Sequence, residues 1–224
     1  MSKILKILLQ SRTTLFSVPG GDTIQILKTA DALKEKGHHV SISTELEPDV
    51  SSYDIIHLFN IMRPQDLYLQ ALNARKRKKK LVLSTIYVDF KEYDQKGRAG
   101  LNKLVANFLK PNQVEYLKII ARAIKNYEIN KGTLCLVKQG HKKLQLEIIN
   151  MVDIFLPNSE SEMRRLNLDF PETVGKAYVV VPNAVDTNLF NSDLSRIAPG
   201  LENYSQCVLC VARIEGLKNQ LNLV

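Results

Sequence analysis

The sequence has few of the residues that mark several common protein classes. It contains no tryptophan, and aromatic residues make up only 7% of its 224 positions. Proteins that bind single-stranded nucleic acid by stacking need such side chains, so we expect no nucleic-acid partner of that kind. Its three cysteines are too few for a disulfide framework, and a reducing, cytoplasmic location fits them best.

Long apolar runs and dinucleotide motifs are also missing. No stretch approaches the ~18 apolar residues of a membrane-spanning helix. The apolar start, Met1 to Gln10, is broken by Lys6 and lacks a cleavage site, so it predicts a strand rather than a signal peptide. A Gly-x-Gly-x-x-Gly fingerprint is absent, which disfavours a dehydrogenase. Cys207 and Cys210 lie in a run of strand formers, where residues three apart face opposite ways, so we predict no metal site there.

Positive charge is concentrated in one part of the chain. Ten basic and two acidic residues lie between Arg98 and Lys143, an excess equal to the net charge of +8 for the whole chain. A second basic run covers 75–80. Such a surface favours an anionic partner, either phosphate, acidic lipid or nucleic acid.

Apolar strands alternate with amphipathic helices along most of the chain. Lys3 to Leu9 reads as a buried strand, Ile26, Ala30 and Leu33 follow at helical spacing, and 40–43 reads as the next strand. The pattern repeats with strands at 54–59, 80–85, 152–156 and 177–181 and with helices over about 64–76 and 159–166. It predicts the α/β class, with a Rossmann-like parallel sheet and helices on both faces.

Changes in composition and in the spacing of apolar residues divide the chain into regions. We predict a first domain over 1–182, with a helical insertion or lid at about 100–151. A linker over 183–204 follows, which holds Pro199, Gly200 and several Asn, Asp and Ser residues. Residues 205–224 read as the first strand and partial helix of a second, truncated domain. Its strand, 206–212, would lack neighbours, so we expect self-association through it.

Gly20 and Gly21 form a candidate anion site. They lie between the first strand and the first helix, where free N–H groups and the helix dipole favour a phosphate. The alternative is a glycine pair that is needed only for positive φ.

Further candidates lie at the ends of other strands. His57 ends one strand, Tyr87 and Asp89 follow another, and Asn158 and Ser159 follow a third. Ligands of open α/β sheets bind at the carboxyl ends of strands, so these residues are candidates for binding an acceptor. A lone histidine at such a place is more often structural, and that alternative stays open for His57.

Four segments of the chain resemble, in order, the signatures of glycosyltransferase family 4. They are Gly20-Gly21 with the helix that ends at 32–40, Pro157-Asn158-Ser159-Glu160-Ser161-Glu162, the segment 181–190 (Val-Pro-Asn-Ala-Val-Asp-Thr-Asn-Leu-Phe), and the segment 211–220 (Val-Ala-Arg-Ile-Glu-Gly-Leu-Lys-Asn-Gln). The third and fourth segments are the most specific.

This resemblance implies a GT-B fold, of which the chain would be the N-terminal half. It implies a retaining hexosyltransferase that takes a nucleotide-sugar donor, needs no metal or other cofactor, and acts on a glycan or lipid-linked acceptor in cell-surface polysaccharide synthesis. By motif position, Arg213 and Lys218 would be catalytic and would neutralise the departing diphosphate. Gly20 and Gly21 would bind the same donor phosphates.

Two departures from the family pattern matter. Tyr87 stands where the family often has a histidine. The paired-glutamate motif of the second domain would lie beyond Val224, so we expect this chain alone to be inactive. The alternative function is a non-catalytic basic module that docks on acidic membrane or nucleic acid. In either case the basic segment could place a cytoplasmic protein on the inner membrane face.

Overall fold

The computed structural model describes residues 3–88 and 130–188 together with Cys210. The described residues up to Pro182 belong to one compact unit, and those from Asn183 onward belong to a second. Every helix and strand that the structure describes lies in the first unit. The predicted strand and partial helix of 205–224 lie outside the described residues, except for the exposed Cys210.

These ranges contain five strands and five helices, and a 3₁₀ turn at Pro171–Thr173 follows them. The strands are β1 (Lys6–Gln10), β2 (His39–Ser43), β3 (Ile55–Phe59), β4 (Lys80–Ser84) and β5 (Ile154–Leu156). The helices are α1 (Gly21–Glu35), α2 (Pro64–Lys76), α3 (Lys131–Gln139), α4 (His141–Met151) and α5 (Glu160–Asp169). All strand pairs are parallel, in the order β2-β1-β3-β4-β5. The predicted α/β class is confirmed.

Both faces of the sheet are covered by helices. In β1, Leu8 joins a core with residues of α2, α4 and α5, whereas Ile7 and Leu9 join a second core with Ile26 and Ala30 of α1. Successive strand residues point to opposite faces, so these two cores lie on opposite sides of the sheet. The prediction of a Rossmann-like layer arrangement is therefore confirmed.

Helix α1 forms where its apolar spacing predicts it. Ile26 and Ala30, four residues apart, are buried on one side of the helix. The helix ends before Gly37, whose φ of +85° suits glycine and lets the chain turn back into β2.

The predicted strand 177–181 is not a full strand in the structure. Tyr178 forms a single bridge to Phe155, and Val181 N donates to Pro157 O at 2.9 Å. Continuing the parallel ladder requires an N–H at position 157, and proline has none. The segment therefore lies extended beside β5 with an incomplete ladder, which corrects the sequence prediction.

The described part of the predicted helical insertion is α3 and α4. Ile148 and Ile149 of α4 are buried in the same core as Leu67 of α2. Helix α3 approaches α2 closely at Gly132, where a Cβ would lie 2.0 Å from the backbone oxygen of Gln65. Residues 100–129 of the predicted insertion lie outside the described ranges.

The basic run 75–80 lies at the amino ends of the strands, because β4 begins at Lys80. Arg75 Nη2 donates to Asp153 Oδ1 at 2.9 Å. Lys79 Nζ donates to the backbone oxygens of Ser51 and Tyr53 at 2.7 and 2.8 Å. Part of this run therefore holds loops of the protein itself, at the sheet edge opposite the carboxyl ends.

Candidate functional site

The carboxyl ends of the strands define the edge where a ligand of this fold binds. Strand β2 pairs with β1 on one side, and β3 pairs with β1 on the other side. The crevice of an open parallel sheet lies at such a reversal of strand order. The loop from β1 to α1 and the loop after β3 form its walls.

A buried ion pair holds the β1–α1 loop in place. Arg12 Nε donates to Asp22 Oδ2 at 2.8 Å and Nη2 donates to Oδ1 at 3.0 Å. The remaining guanidinium donors reach the loop carbonyls of Thr14 and Val18, both at 2.8 Å. Arg12 is thus fully used by the protein, which makes it a loop anchor rather than a ligand for an incoming phosphate.

Asp22 also connects this loop to the neighbouring one. Asn60, which follows β3, donates its Nδ2–H to Asp22 Oδ2 at 3.1 Å. Burial acts to raise the pKa of Asp22, but the hydrogen bond and positive charge of Arg12 outweigh it, so the pKa lies below its usual 3.8. The carboxylate therefore stays ionised and neutralises Arg12.

The two predicted phosphate-binding glycines begin α1 at this crevice. Gly20 is the N-cap with φ −151°, and neither glycine is among the positive-φ residues of the described chain. The alternative that the pair serves only to allow positive φ is therefore excluded. A Cβ on Gly20 would lie 3.0 Å from Asp22 Oδ1, whereas a Cβ on Gly21 would meet nothing within 4 Å.

The open space beside Gly21 gives access to backbone hydrogen-bond donors. Among the described residues, the backbone N–H groups of Gly21 and Asp22 meet no acceptor, as expected for the first turn of a helix. Amide dipoles at a helix start attract anions. An anion that approaches Gly21 therefore finds free donors, in a place where Arg12 and Asp22 together contribute no net charge.

His57 has a different setting from the one the sequence suggests. It is the third residue of β3, two before the strand ends, and only 7% exposed. Its Nε2 lies 2.9 Å from Ser84 Oγ, and its ring stacks on Phe59 with centroids 4.2 Å apart. Burial lowers its pKa to about 3, so the imidazole is neutral. These contacts favour the structural alternative for this histidine.

One buried carboxylate joins the loops after β4 and β5. Glu162 accepts the hydroxyl of Thr85 through Oε1, the N–H of Tyr87 at 2.6 Å through Oε1, and the N–H of Asn158 at 2.6 Å through Oε2. Its own N–H donates to Ser159 Oγ at 3.1 Å, which caps α5. Glu162 thus brings together three of the predicted acceptor-binding residues, Tyr87, Asn158 and Ser159.

Side chains of these residues also make contacts with the protein. Asn158 Oδ1 accepts Gln25 Nε2 of α1 at 2.9 Å, which ties the loop after β5 to the helix that starts at Gly21. The hydroxyl of Tyr87 donates to Asp169 Oδ2 at 2.6 Å. The carboxyl-edge loops therefore form one hydrogen-bonded rim.

The remaining predicted site residues cannot be placed on this rim. Asp89, Arg213 and Lys218 lie outside the described residues. Within the part of the chain that the structure describes, no group of three metal-binding side chains occurs. Across the same ranges, no helix has both the length and the apolar character needed to cross a membrane.

Sequence reasoning missed Arg12, Asp22 and Glu162. A signal for Glu162 existed, since Ser159 and Glu162 have the spacing of a capping box. That motif predicts a helix start, but it does not predict that the carboxylate binds loop amides from a neighbouring strand. No local pattern indicates that Arg12 and Asp22 pair across the loop.

Comparison with known proteins gives a likeness in structure only. No protein-family model matches the chain, and no curated protein matches it. The crystal structure of Anabaena Alr3699/HepE in complex with UDP is similar with a TM-score of 0.43 and 17% sequence identity. The match covers 85% of this chain and 47% of that one, so the chain spans about half the length of that protein. Similarity at this level assigns no activity to this chain.

Proposed function

We propose that this chain belongs to a retaining glycosyltransferase that moves a sugar from a nucleotide-sugar to a glycan or lipid-linked acceptor without a metal. The observation that carries the proposal is the start of α1 at the crevice, where Gly21 leaves space and free N–H groups for a phosphate. The four sequence segments that resemble glycosyltransferase family 4 supply the donor class.

The proposed chemistry gives a role to the amides at the start of α1 and to the hydrogen-bonded rim. Negative charge grows on the diphosphate as the sugar leaves, and preorganised donors stabilise it most at that moment. The amides at Gly21 would bind part of the diphosphate. The resemblance to glycosyltransferase family 4 gives Arg213 and Lys218, by their motif position, the role of neutralising the departing diphosphate. The rim held by Glu162, with Tyr87 and Asn158, would position the acceptor hydroxyl.

The first test measures donor binding at Gly21. Calorimetric titration with a panel of UDP- and GDP-sugars is compared for the unmodified protein and for Gly21→Val, whose side chain enters the open space. We expect Gly21→Val to lower the affinity for the donor. Ala32→Val adds the same kind of side chain at an exposed position of α1 and serves as the matched control. Equal affinity for all three proteins would remove Gly21 from the donor site.

The second test measures turnover. Release of nucleoside diphosphate in the presence of lipid-linked and free glycan acceptors is measured for a longer protein that joins this chain to the second domain that the resemblance implies. The unmodified longer protein is compared with its Arg213→Ala and Lys218→Ala variants. Loss of one preorganised transition-state contact typically lowers turnover ~10²-fold or more. Unchanged turnover would exclude these two residues. Absence of transfer from every donor by the unmodified longer protein would contradict the proposed function.

A further inference from the structure

We propose that the corner formed by α3 and the start of α4, residues 131–143, docks on the surface of an anionic lipid bilayer. This inference goes beyond glycosyl transfer and stands on the exposed side chains of the corner and on its place at the carboxyl edge.

Two apolar side chains of α3 are exposed. The side of α3 that faces the rest of the protein is small and buried, with Gly132, Thr133 and Leu136. On the outer side, Leu134 is 64% exposed and Val137 is 51% exposed. Single exposed apolar residues are ordinary, but an exposed pair three residues apart forms an apolar stripe on the helix.

Lysines surround this stripe. All four lysines of the corner are exposed: Lys131, Lys138, Lys142 and Lys143. Residues 131–143 contain no acidic residue. The described acids beside them are Glu47, which pairs with Lys131 at 3.0 Å, Glu147, which lies four residues after Lys143, and the buried Asp66, which accepts a hydrogen bond from Asn130. Lys142 also lies 5.5 Å above the ring of Phe170. The corner therefore keeps a positive excess.

The combination of charges with apolar side chains identifies the partner. A soluble polyanion such as nucleic acid would bind the lysines but would leave Leu134 and Val137 in water. A helix with this mixture lies at a bilayer interface, where its apolar side chains enter the headgroup boundary and its lysines meet acidic headgroups. The anionic bilayer is thus the partner that uses both features.

The topology places this corner at the carboxyl edge. Helix α4 ends at Met151 just before β5 begins, so it runs from the carboxyl edge to the amino edge and starts at the carboxyl edge. The other end of α3 lies at the same edge, because its N-cap Asn130 donates to Asp66 in the first turn of α2 at 3.5 Å.

Asp66 also ties the corner to the β1–α1 loop. Its Oδ2 accepts the N–H of Thr13, at the start of that loop, at 3.2 Å. The loop carries two further exposed apolar side chains, Phe16 at 56% and Val18 at 54%. Docking through the corner would therefore hold the crevice near the membrane surface, where an amphiphilic substrate resides.

Vesicle sedimentation tests the proposal without any nucleotide or sugar, so its outcome is independent of the proposed function. The protein is mixed with phosphatidylcholine vesicles that contain or lack phosphatidylglycerol, at low and high salt. We expect binding only with phosphatidylglycerol, and weaker binding at high salt. Attraction of ~1 kcal/mol per lysine corresponds to about five-fold in the partition constant, so Lys138→Glu combined with Lys143→Glu is expected to lower it at least about 25-fold.

The matched control combines Lys34→Glu and Lys76→Glu. These lysines lie in the last turns of α1 and α2, at the amino edge, and their replacement changes the net charge by the same amount. We expect this control to retain most of the binding. Equal loss in both pairs would overturn the assignment to the corner, and so would an absence of binding to acidic vesicles at low salt.

A separate variant tests the apolar part. Leu134→Gln leaves every lysine in place, and the exposed position makes a folding defect unexpected. We expect this variant to bind vesicles more weakly than the unmodified protein at both low and high salt. If Leu134→Gln binds vesicles as the unmodified protein does, or if duplex DNA competes equally well for both, the surface is purely electrostatic and the bilayer proposal is wrong.

Discussion

Arg12 and Asp22 form a buried, two-point ion pair at the start of the crevice, with side chains only 5% and 9% exposed. The pair joins the two ends of the β1–α1 loop, while the backbone N–H groups of Gly21 and Asp22 have no acceptor among the described residues. At this helix start the charged pair therefore fixes the backbone, and the backbone donors are left for the proposed phosphate.

This pair gives the first prediction. Arg12→Met leaves the Asp22 carboxylate buried without its cation, and such a change typically costs about 3–5 kcal/mol in the free energy of unfolding. Urea denaturation measures it. Lys131→Met breaks the exposed pair with Glu47, where side-chain exposures are 76% and 44%, and we expect a change within ~1 kcal/mol. Similar losses in both variants would show that the Arg12 pair contributes no more than a surface contact.

The second prediction concerns the carboxylate that joins the rim. Glu162→Gln removes the charge that holds the amides of Tyr87 and Asn158, and charge-assisted hydrogen bonds are the stronger class. We expect faster hydrogen exchange at those two amides, measured by NMR. Glu160→Gln, the control, makes the same charge change at an exposed position two residues earlier. Unchanged protection in Glu162→Gln would show that the loops are held by other contacts.

The third prediction concerns pH. Burial lowers the pKa of His57 from 6.5 to about 3, so between these values the unfolded chain binds a proton that the folded protein does not. His57 therefore contributes stability that is fully present above about pH 6.5 and is lost as the pH falls toward about 3. Asp22 and Asp153 also have lowered pKa values, and their contribution is lost below their usual 3.8.

Urea denaturation across this pH range separates the two effects. We expect the free energy of unfolding to fall already between pH 6.5 and 5, above the range where the aspartates titrate. His57→Gln is expected to flatten that part of the profile. An equally steep profile in the variant would assign the pH dependence to other groups.

The fourth prediction concerns the contact between α3 and α2. Gly132→Ala places a Cβ 2.0 Å from the carbonyl oxygen of Gln65, so the helices must separate. Overpacking of this kind typically costs about 1–3 kcal/mol. Gly21→Ala, which meets nothing within 4 Å, is the control and is expected to change stability little. Wild-type stability of Gly132→Ala would mean that α3 sits farther from α2.

The order of strands and helices was predictable because it depends on local patterns. Buried strands such as β1 appear in the sequence as nearly continuous apolar runs. Helix α1 appears as Ile26 and Ala30 at helical spacing, followed by Gly37 as a stop signal. The position of Gly20 and Gly21 between these elements follows from the same patterns, and so does the placement of Asn158 at the end of a strand.

Side-chain partners, the burial of His57 and the length of one strand depended on contacts between distant parts of the chain. The sequence could not show that Glu162 reaches Tyr87 or that Arg12 pairs with Asp22, because a side chain's partner depends on how strands and helices pack rather than on its neighbours in the chain. His57 looked like a strand-end ligand, yet the length of β3 and its packing on Phe59 buried it. Pro157 shortened the predicted strand 177–181, because a missing N–H has an effect only once the partner segment lies beside it.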